Sequence, residues 1–312
     1  MKNLIYLSTI IIFSLALTSC CEEIKYKYGC TNKLADNYDP DATIENGSCT
    51  GAVGCTDSTA SNYDPLAAVN CGCEYENVRR VLIEDFTGHR CINCPYGAEK
   101  VKELVCKYGN QIIPIAVHCT PLADPGPAPF DANYQTPVGD QLMTDFALIA
   151  IPTGAINRMD YNGYVVSDIP TWETRVQQEL AKPLEATVAI ENNYNSSSRE
   201  VSIDLTITGV TNLSEGPYNI VVYIIEDKIQ SAQVTPEGDD LEYIQSHVLR
   251  GAVNSTYGDE LATSISIGET ITKNYTYTLN NSWDEDNCIV VAFLSKASDN
   301  SVIQANEAHI TH

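Results

Sequence analysis

The segment that decides the fold is a short apolar run ending in two closely spaced cysteines, VLIEDFTGHRCINCP at residues 81–95. Residues 81–86 have the composition of a buried β-strand, and residues 98–108 carry apolar side chains at helical spacing. Cys91 and Cys94 therefore lie where a strand passes into a helix. A cysteine at a helix N-terminus faces unpaired amide N–H groups, which favour its thiolate, and His89 and Arg90 would add positive charge.

A C-x-x-C pair in this context predicts a thioredoxin-like redox site. Asp85 and Phe86 precede Cys91 at the spacing found in thioredoxins, and Ile151-Pro152-Thr153 resembles the thioredoxin cis-proline segment. The resemblance implies four catalytic roles. Cys91 would attack, Cys94 would resolve a mixed disulfide, Asp85 would exchange a proton with Cys94, and Pro152 would dock the substrate. Two departures concern substrate choice and redox potential: Arg90 replaces a tryptophan, and Ile-Asn replaces Gly-Pro between the cysteines.

Beyond this segment, the predicted secondary structure changes near residue 183 from alternating strands and helices to strands alone. Strands at 112–117 and 151–157 alternate with a helix around 138–148, which indicates a mixed α/β domain over residues 79–182. From residue 184 to 312, six or seven strands rich in Val, Ile, Thr and Tyr predict an all-β immunoglobulin-like sandwich. One predicted strand lies at 264–267, and residues 233–258 are predicted to form a long connection.

Residues 29–75 contain two copies of a short cysteine- and aspartate-rich repeat. The sequence that begins at Gly29-Cys30 returns at Gly54-Cys55. Units this short cannot bury a substantial core, so disulfide bonds are expected to stabilise them. We expect Cys30 to pair with Cys49, and Cys55 to pair with Cys71 or Cys73.

The same repeats carry oxygen side chains at spacings similar to those of thrombospondin type 3 calcium repeats. The candidate ligands are Asp36, Asn37, Asp39, Asp41 and Asn46. Asn, Asp, Pro and Gly are also the residues that turns require. Two interpretations therefore stay open, a calcium site and a disulfide-stapled spacer without metal, and no other cofactor is required.

The first residues predict export and lipidation. Residues 1–19 have a basic residue, a short apolar run and small residues before a cleavage site, as signal peptides do. Leu17-Thr18-Ser19-Cys20 resembles a lipobox, which predicts acylation of Cys20 and an anchor linker over residues 20–28. Twelve cysteines fit an oxidising compartment. We expect Cys106 and Cys119 to form a structural pair.

The charge of the chain restricts its partners. With 41 acidic and 18 basic residues, its formal charge is −23. Such a surface repels phosphate backbones, which excludes nucleic acid as a partner. The expected partners are the membrane, through the lipid anchor, and a protein or thiol substrate of unknown identity.

Several motifs together are similar to one family, the Omp28-related outer-membrane lipoproteins. They are residues 81–88, 91–98, 151–154 and 157–158, with His247-Val248-Leu249-Arg250-Gly251 in the β region. The resemblance covers roughly residues 79–310. It implies a thioredoxin-like domain followed by a β-sandwich, lipid-anchored at the outer membrane on its periplasmic or cell-surface face.

The residues leave two functions open. The first is a surface binding or interaction protein of undefined partner, in which the thioredoxin-like domain serves as a scaffold. The alternative is a membrane-tethered thiol–disulfide oxidoreductase that uses Cys91 and Cys94. Whether the chain is an enzyme therefore depends on whether this pair reacts or is a static structural bond.

Overall fold

The computed structural model describes residues 27–311, apart from residues 43, 46 and 47. The predicted signal peptide, the lipidation site Cys20 and the candidate calcium ligand Asn46 lie outside these residues. The described chain is mostly β with few helices, and disulfide bonds concentrate in its N-terminal region. None of the helices in residues 27–311 combines the length and the apolar character needed to cross a membrane.

Each repeat is a two-stranded parallel pair closed by a disulfide bond. Strand β1 (Tyr28–Gly29) pairs with β2 (Ile44–Glu45), and β3 (Val53–Gly54) pairs with β4 (Val69–Asn70). The first repeat is closed by Cys30–Cys49, as predicted, and the second by Cys55–Cys73. Bonded cysteines and a few alanines make up the two small cores, so the disulfides replace the apolar core that such short units lack.

The middle of the chain alternates strands and helices. Its elements are β5 (Val81–Thr87), α1 (Cys94–Tyr108), β6 (Ile112–His118), α2 (Pro137–Asp145), β7 (Thr153–Ile156), β8 (Val166–Ser167) and α3 (Ile169–Leu180). Strands β5 and β6 run parallel, with α1 as their crossover, whereas β7 and β8 continue the sheet antiparallel to their neighbours. Helix α1 and α3 cover one face through Val101, Leu104, Trp172 and Val176.

The second repeat is attached to helix α1, and this corrects one predicted disulfide. Cys106 bonds Cys71, not Cys119. Cys119 follows β6 in the core between the sheet and α2, where it is a fully buried free thiol. Backbone bonds from Gly72 N to the Cys106 carbonyl oxygen (2.8 Å) and from Asn110 N to the Cys73 carbonyl oxygen (3.0 Å) hold the repeat against the end of the helix.

The C-terminal part supplies twelve strands. They are β9 (Ala186–Asn195), β10 (Glu200–Gly209), β11 (Tyr218–Glu226), β12 (Ile229–Gln230), β13 (Gln233–Thr235), β14 (Gly238–Asp240), β15 (Ile244–Gln245), β16 (Val248–Ala252), β17 (Asp259–Ala262), β18 (Thr270–Thr278), β19 (Cys288–Lys296) and β20 (Val302–His309). Antiparallel β18-β10-β9 packs over β11, β19 and β20 around a core of Val, Ile and Leu, which makes two facing sheet layers.

One sheet is continuous across the domain boundary predicted at residue 183. Its order is β20-β19-β11-β16-β6-β5-β7-β8, with β17 paired to β11. Strand β16 joins the halves, because it is antiparallel to β11 and parallel to β6, with Val248 opposite Ala116. This strand begins directly after His247, in the HVLRG motif singled out in the sequence.

Two predictions about the C-terminal part were wrong. Residues 233–258 are not a plain connection, since they contain β13 to β16. Residues 264–267 are not a strand, because only Ile265 pairs there, in an isolated bridge with Leu213, and the strand lies earlier at Asp259–Ala262. Apolar and polar residues alternate only weakly in both segments. The conformation of each segment therefore depends on its contacts with strands that are distant in sequence.

A buried ion pair lies where the halves meet. Arg158 donates from Nε and Nη2 to the two carboxylate oxygens of Glu84 at 2.8 and 2.6 Å, and from Nη2 to the Tyr223 hydroxyl at 3.1 Å. Glu84 lies on β5 and Tyr223 on β11, so this network connects the α/β part with the β part.

Candidate functional site

The candidate site is built around the disulfide-bonded pair Cys91–Cys94. Strand β5 ends at Thr87, a short turn follows, and Cys94 is the first residue of α1, with Pro95 next to it. Proline fits this position because the first helical N–H groups have no partner within the helix. The turn leaves Cys91 only 4% and Cys94 only 1% exposed.

Asp85 lies behind the second cysteine. Its carboxyl group is buried on β5 and contacts α1 at Gly97, where a Cβ atom would come within 3.1 Å of both carboxyl oxygens. Gly97 lies three residues after Cys94, on the same face of the helix. The Oδ1 atom of Asp85 has no hydrogen-bond partner among the described residues. Burial raises the pKa of Asp85 to about 8, so the group is protonated at neutral pH.

The segment around Pro152 reaches the first cysteine. The Ile151 carbonyl oxygen lies 3.9 Å from the Cys91 sulfur, and the Ile151–Pro152 peptide bond is cis. The structure therefore brings Asp85, the two cysteines and the Pro152 segment together, although they are spread over almost 70 residues of sequence. Ile92, Tyr96 and Ile149, which are close in sequence to the cysteines or to Pro152, are exposed apolar side chains.

A strand from the C-terminal part covers Cys91, which the sequence did not reveal. Val234 N donates to the His89 carbonyl oxygen at 2.9 Å, and Gln233 Nε2 donates to the Cys91 carbonyl oxygen at 3.1 Å. The amide oxygen of Gln233 in turn accepts from Gln245 Nε2 at 3.1 Å. A buried glutamine in a segment without periodicity gives no sequence signal for such a role.

The two residues before Cys91 do not supply the expected pair of positive charges. His89 is fully buried beside His118, Phe130 and Tyr134, and burial lowers its pKa, so its ring is neutral at neutral pH. Arg90 is exposed, and its guanidinium lies 3.4 Å from the carbonyl oxygen of Asp124. Only Arg90 thus carries charge at this position.

The predicted calcium ligands take part in turn and ion-pair contacts. The Asn37 amide bonds Ser48 and Thr50, and the Asp39 carboxylate lies 2.8 Å from Lys27 Nζ and accepts from Asp41 N. Asp36 is exposed. Within the described residues, no group of three or more His, Cys, Asp or Glu side chains is arranged to hold a metal ion. Calcium binding by the repeats stays a prediction.

Two free cysteines lie in the core. Burial raises the pKa of both Cys119 and Cys288 to about 12, which keeps them as thiols. Because the thiolate is the nucleophile, these two residues are not competitors of Cys91 in exchange.

Comparison with solved structures relates most of the chain to a known fold. HBP35 of Porphyromonas gingivalis is similar with a TM-score of 0.59 and 17% identity, over 75% of this chain and 76% of that one. A domain of the outer membrane lipoprotein Omp28 from Porphyromonas gingivalis matches with 16% identity over 41% of this chain and 90% of that domain, with a TM-score of 0.29. The first of these likenesses shows the fold alone.

The sequence comparisons give the family. No curated protein matches the chain. The family model described as "Outer membrane protein Omp28" matches residues 139–312, more than half of the chain. That match includes the Pro152 segment, the HVLRG motif and all the strands from β7 to β20. The chain belongs to the Omp28 family of outer membrane proteins.

Proposed function

We propose that the chain is a lipid-anchored outer-membrane protein whose Cys91–Cys94 pair exchanges disulfides with a thiol substrate. The observation that carries this proposal is the buried carboxyl of Asp85 against the helix that begins at Cys94. An unpartnered buried acid costs stability, and such costs are concentrated at functional sites.

The topology around the pair supports a thioredoxin-like unit. Strands β6-β5-β7-β8 are neighbours in that order, α1 crosses between the two parallel strands, and α3 follows the last one. Since the pair lies at the strand–helix turn of this unit, the helix N-terminus would favour the thiolate that exchange requires. The two facing layers of the C-terminal part support an immunoglobulin-like sandwich in the same way.

The proposed exchange takes place in two steps. A substrate thiolate attacks the Cys91 sulfur, the Cys91–Cys94 bond breaks, and Cys94 leaves with the electron pair and takes the proton of Asp85. A second thiolate of the substrate attacks its sulfur bound to Cys91, which releases the substrate as a disulfide and leaves Cys91 as a thiolate. The substrate dithiol loses two electrons, which the cysteine pair gains.

A trapping experiment tests the exchange. In Cys94→Ser, the Cys91 thiolate can still attack a substrate disulfide, which is the reverse of this exchange, but no second thiol resolves the product. Mixed disulfides with Cys91 should therefore accumulate in cells and be released by dithiothreitol. Cys288→Ser is the matched control, since it removes a buried thiol and leaves the pair intact. If Cys94→Ser traps nothing and the purified protein neither oxidises nor reduces model dithiols, the exchange proposal is wrong.

The second candidate function is binding without exchange, and one observation favours it. Strand β13 lies over the Cys91 turn, and both cysteines of the pair are almost fully buried. In that case the Cys91→Ser, Cys94→Ser double variant would retain wild-type behaviour in cells apart from lower stability. A redox phenotype of this variant, such as a changed thiol state of other envelope proteins, would contradict the binding function.

The lipid anchor is a separate part of the proposal, supported by the lipobox and by the family. Cys20→Ser should lose incorporation of labelled palmitate and should move the protein from the membrane fraction to the soluble fraction. Retention of Cys20→Ser in the outer membrane would mean that another part of the chain holds it there.

A further inference from the structure

A cavity of about 610 Å³ lies beside helix α1 and adjoins the candidate site, since Cys94, Pro95 and Gln233 are among the residues that line it. Its walls come from α1, from β6 and from residues 243–247, and Cys71 and Gly72 of the second repeat close one end. Four separate parts of the chain thus border one space. Its volume lies in the range of small-molecule sites.

The wall is mostly apolar. Val101, Val105, Ile115 and Tyr243 line it, and exposed Glu99 and Ser246 lie where it meets solvent. Asp85 also lines the cavity; it is buried, and its Oδ1 atom has no hydrogen-bond partner among the described residues. Because the carboxyl is protonated at neutral pH, it offers a hydrogen-bond donor to whatever occupies the cavity.

The charges around the cavity disfavour an anion. Burial raises the pKa of Tyr243 to about 12, and the negative charges of Glu99 and Asp240 act in the same direction. Lys102 also borders the cavity, but its side chain is 77% exposed and lies 3.7 Å from Glu99, which offsets its charge. A ligand carboxylate, sulfonate or phosphate would therefore be desolvated without a cationic partner.

We propose that this cavity binds a small, uncharged and mostly apolar molecule that presents a hydrogen-bond acceptor to Asp85. The apolar wall supplies the affinity through removal of ligand surface from water, and Asp85 fixes the orientation. This binding does not depend on disulfide exchange, since the cavity is present with the Cys91–Cys94 pair oxidised.

The test compares two fluorescent probes on a chain that begins at Glu22, which keeps every described residue. Nile red is uncharged and carries acceptor groups, whereas 8-anilinonaphthalene-1-sulfonate is anionic. The oxidised protein should bind Nile red saturably at one site per chain, with a blue-shifted emission. The anionic probe should bind at least tenfold more weakly.

Cavity-filling variants locate the site. Ala116→Phe on β6 and Ala98→Phe on α1 each add a large side chain to the lining, and each should abolish Nile red binding. Ala189→Phe makes the same change at an exposed position of β9 and should leave binding unchanged. Disulfide mapping and the unfolding midpoint establish which variants are folded, and two independent fillers keep the test valid if one misfolds.

Two results would overturn the proposal. If Nile red binds equally well to folded Ala116→Phe or Ala98→Phe, the cavity is not its site. If the anionic probe binds as tightly as Nile red, the assigned ligand class is wrong. Neither result bears on exchange at Cys91, because trapping by Cys94→Ser is measured separately.

Discussion

Asp85 has the clearest consequence at the scale of single residues. Its folded pKa of about 8 lies above the ordinary value of 3.8, so the folded state holds a proton that the unfolded state releases. This contribution to stability is complete below pH 3.8 and is lost as the pH rises towards 8. Asp85→Asn should therefore raise the free energy of unfolding at pH 7 by about 2–4 kcal/mol, since one pKa unit corresponds to about 1.4 kcal/mol.

Urea unfolding at pH 5 and pH 8 measures this effect. The gain from Asp85→Asn should be larger at pH 8, and Asp36→Asn, at an exposed site, should leave the wild-type pH dependence unchanged. Parallel stability curves for wild type and Asp85→Asn would show that the buried carboxyl does not titrate as described.

His118 should act in the opposite pH direction. Burial lowers its pKa to about 3, and the charges of His89 and Arg250 contribute to this. Between the two pKa values the unfolded state therefore binds a proton that the folded state does not bind. Stability is therefore lost as the pH falls from 6.5 towards 3. His118→Phe should remove a loss of about 2 kcal/mol between pH 7 and pH 4.5. An exposed control, His309→Phe, should retain that loss, and acid unfolding followed by circular dichroism measures it.

At the scale of elements, the sequence predicted those strands and helices that are determined by the residues next to each other in the chain. Val81 to Phe86 read as a strand, the residues after Cys94 read as a helix, and Asp85 stood at a recognisable spacing from Cys91. These features depend on neighbours in the chain. The position of strand β13 over Cys91 does not depend on sequence neighbours, because Gln233 lies 142 residues from Cys91 and the residues around it show no periodicity.

The disulfide bonds also show that only pairings set by local sequence were predicted. The short spacing within a repeat predicted Cys30–Cys49, because a unit without a core must close on itself. Cys71–Cys106 crosses between the repeat and helix α1, and only the docked arrangement of the two brings these residues together.

Strand β13 should slow reduction of the pair. Gln233→Leu removes the bond to the Cys91 carbonyl oxygen and the bond with Gln245. A hydrogen bond contributes about 0.5–1.5 kcal/mol, so reduction by dithiothreitol should be about 3–10-fold faster in this variant. Gln230→Leu, at an exposed position on β12, is the matched control. Equal reduction rates in a quenched alkylation assay would mean that β13 does not restrict access to the pair.

At the scale of the whole molecule, Arg158 joins the two halves through Glu84 and Tyr223. Arg158→Met leaves the buried Glu84 carboxylate without its partner and should lower the free energy of unfolding by about 3–5 kcal/mol. The Arg158→Met, Glu84→Met double variant should lose less than Arg158→Met alone, since it leaves no unpaired charge. Denaturant unfolding of the wild type and the two variants tests this, and a double variant that loses as much as Arg158→Met, or more, would contradict it.

The continuous sheet predicts that the two halves unfold together. One core contains Leu82, Phe86 and Ile115 of the α/β part and Tyr223 and Phe293 of the β part, so each half leaves part of its apolar surface uncovered without the other. Calorimetry of the oxidised protein should give one transition with equal calorimetric and van't Hoff enthalpies. Fragments 27–183 and 184–312 should each lack a cooperative transition and bind a hydrophobic dye. A folded, cooperatively unfolding fragment would instead show that residue 183 separates two independent domains, and that β16 only docks one onto the other.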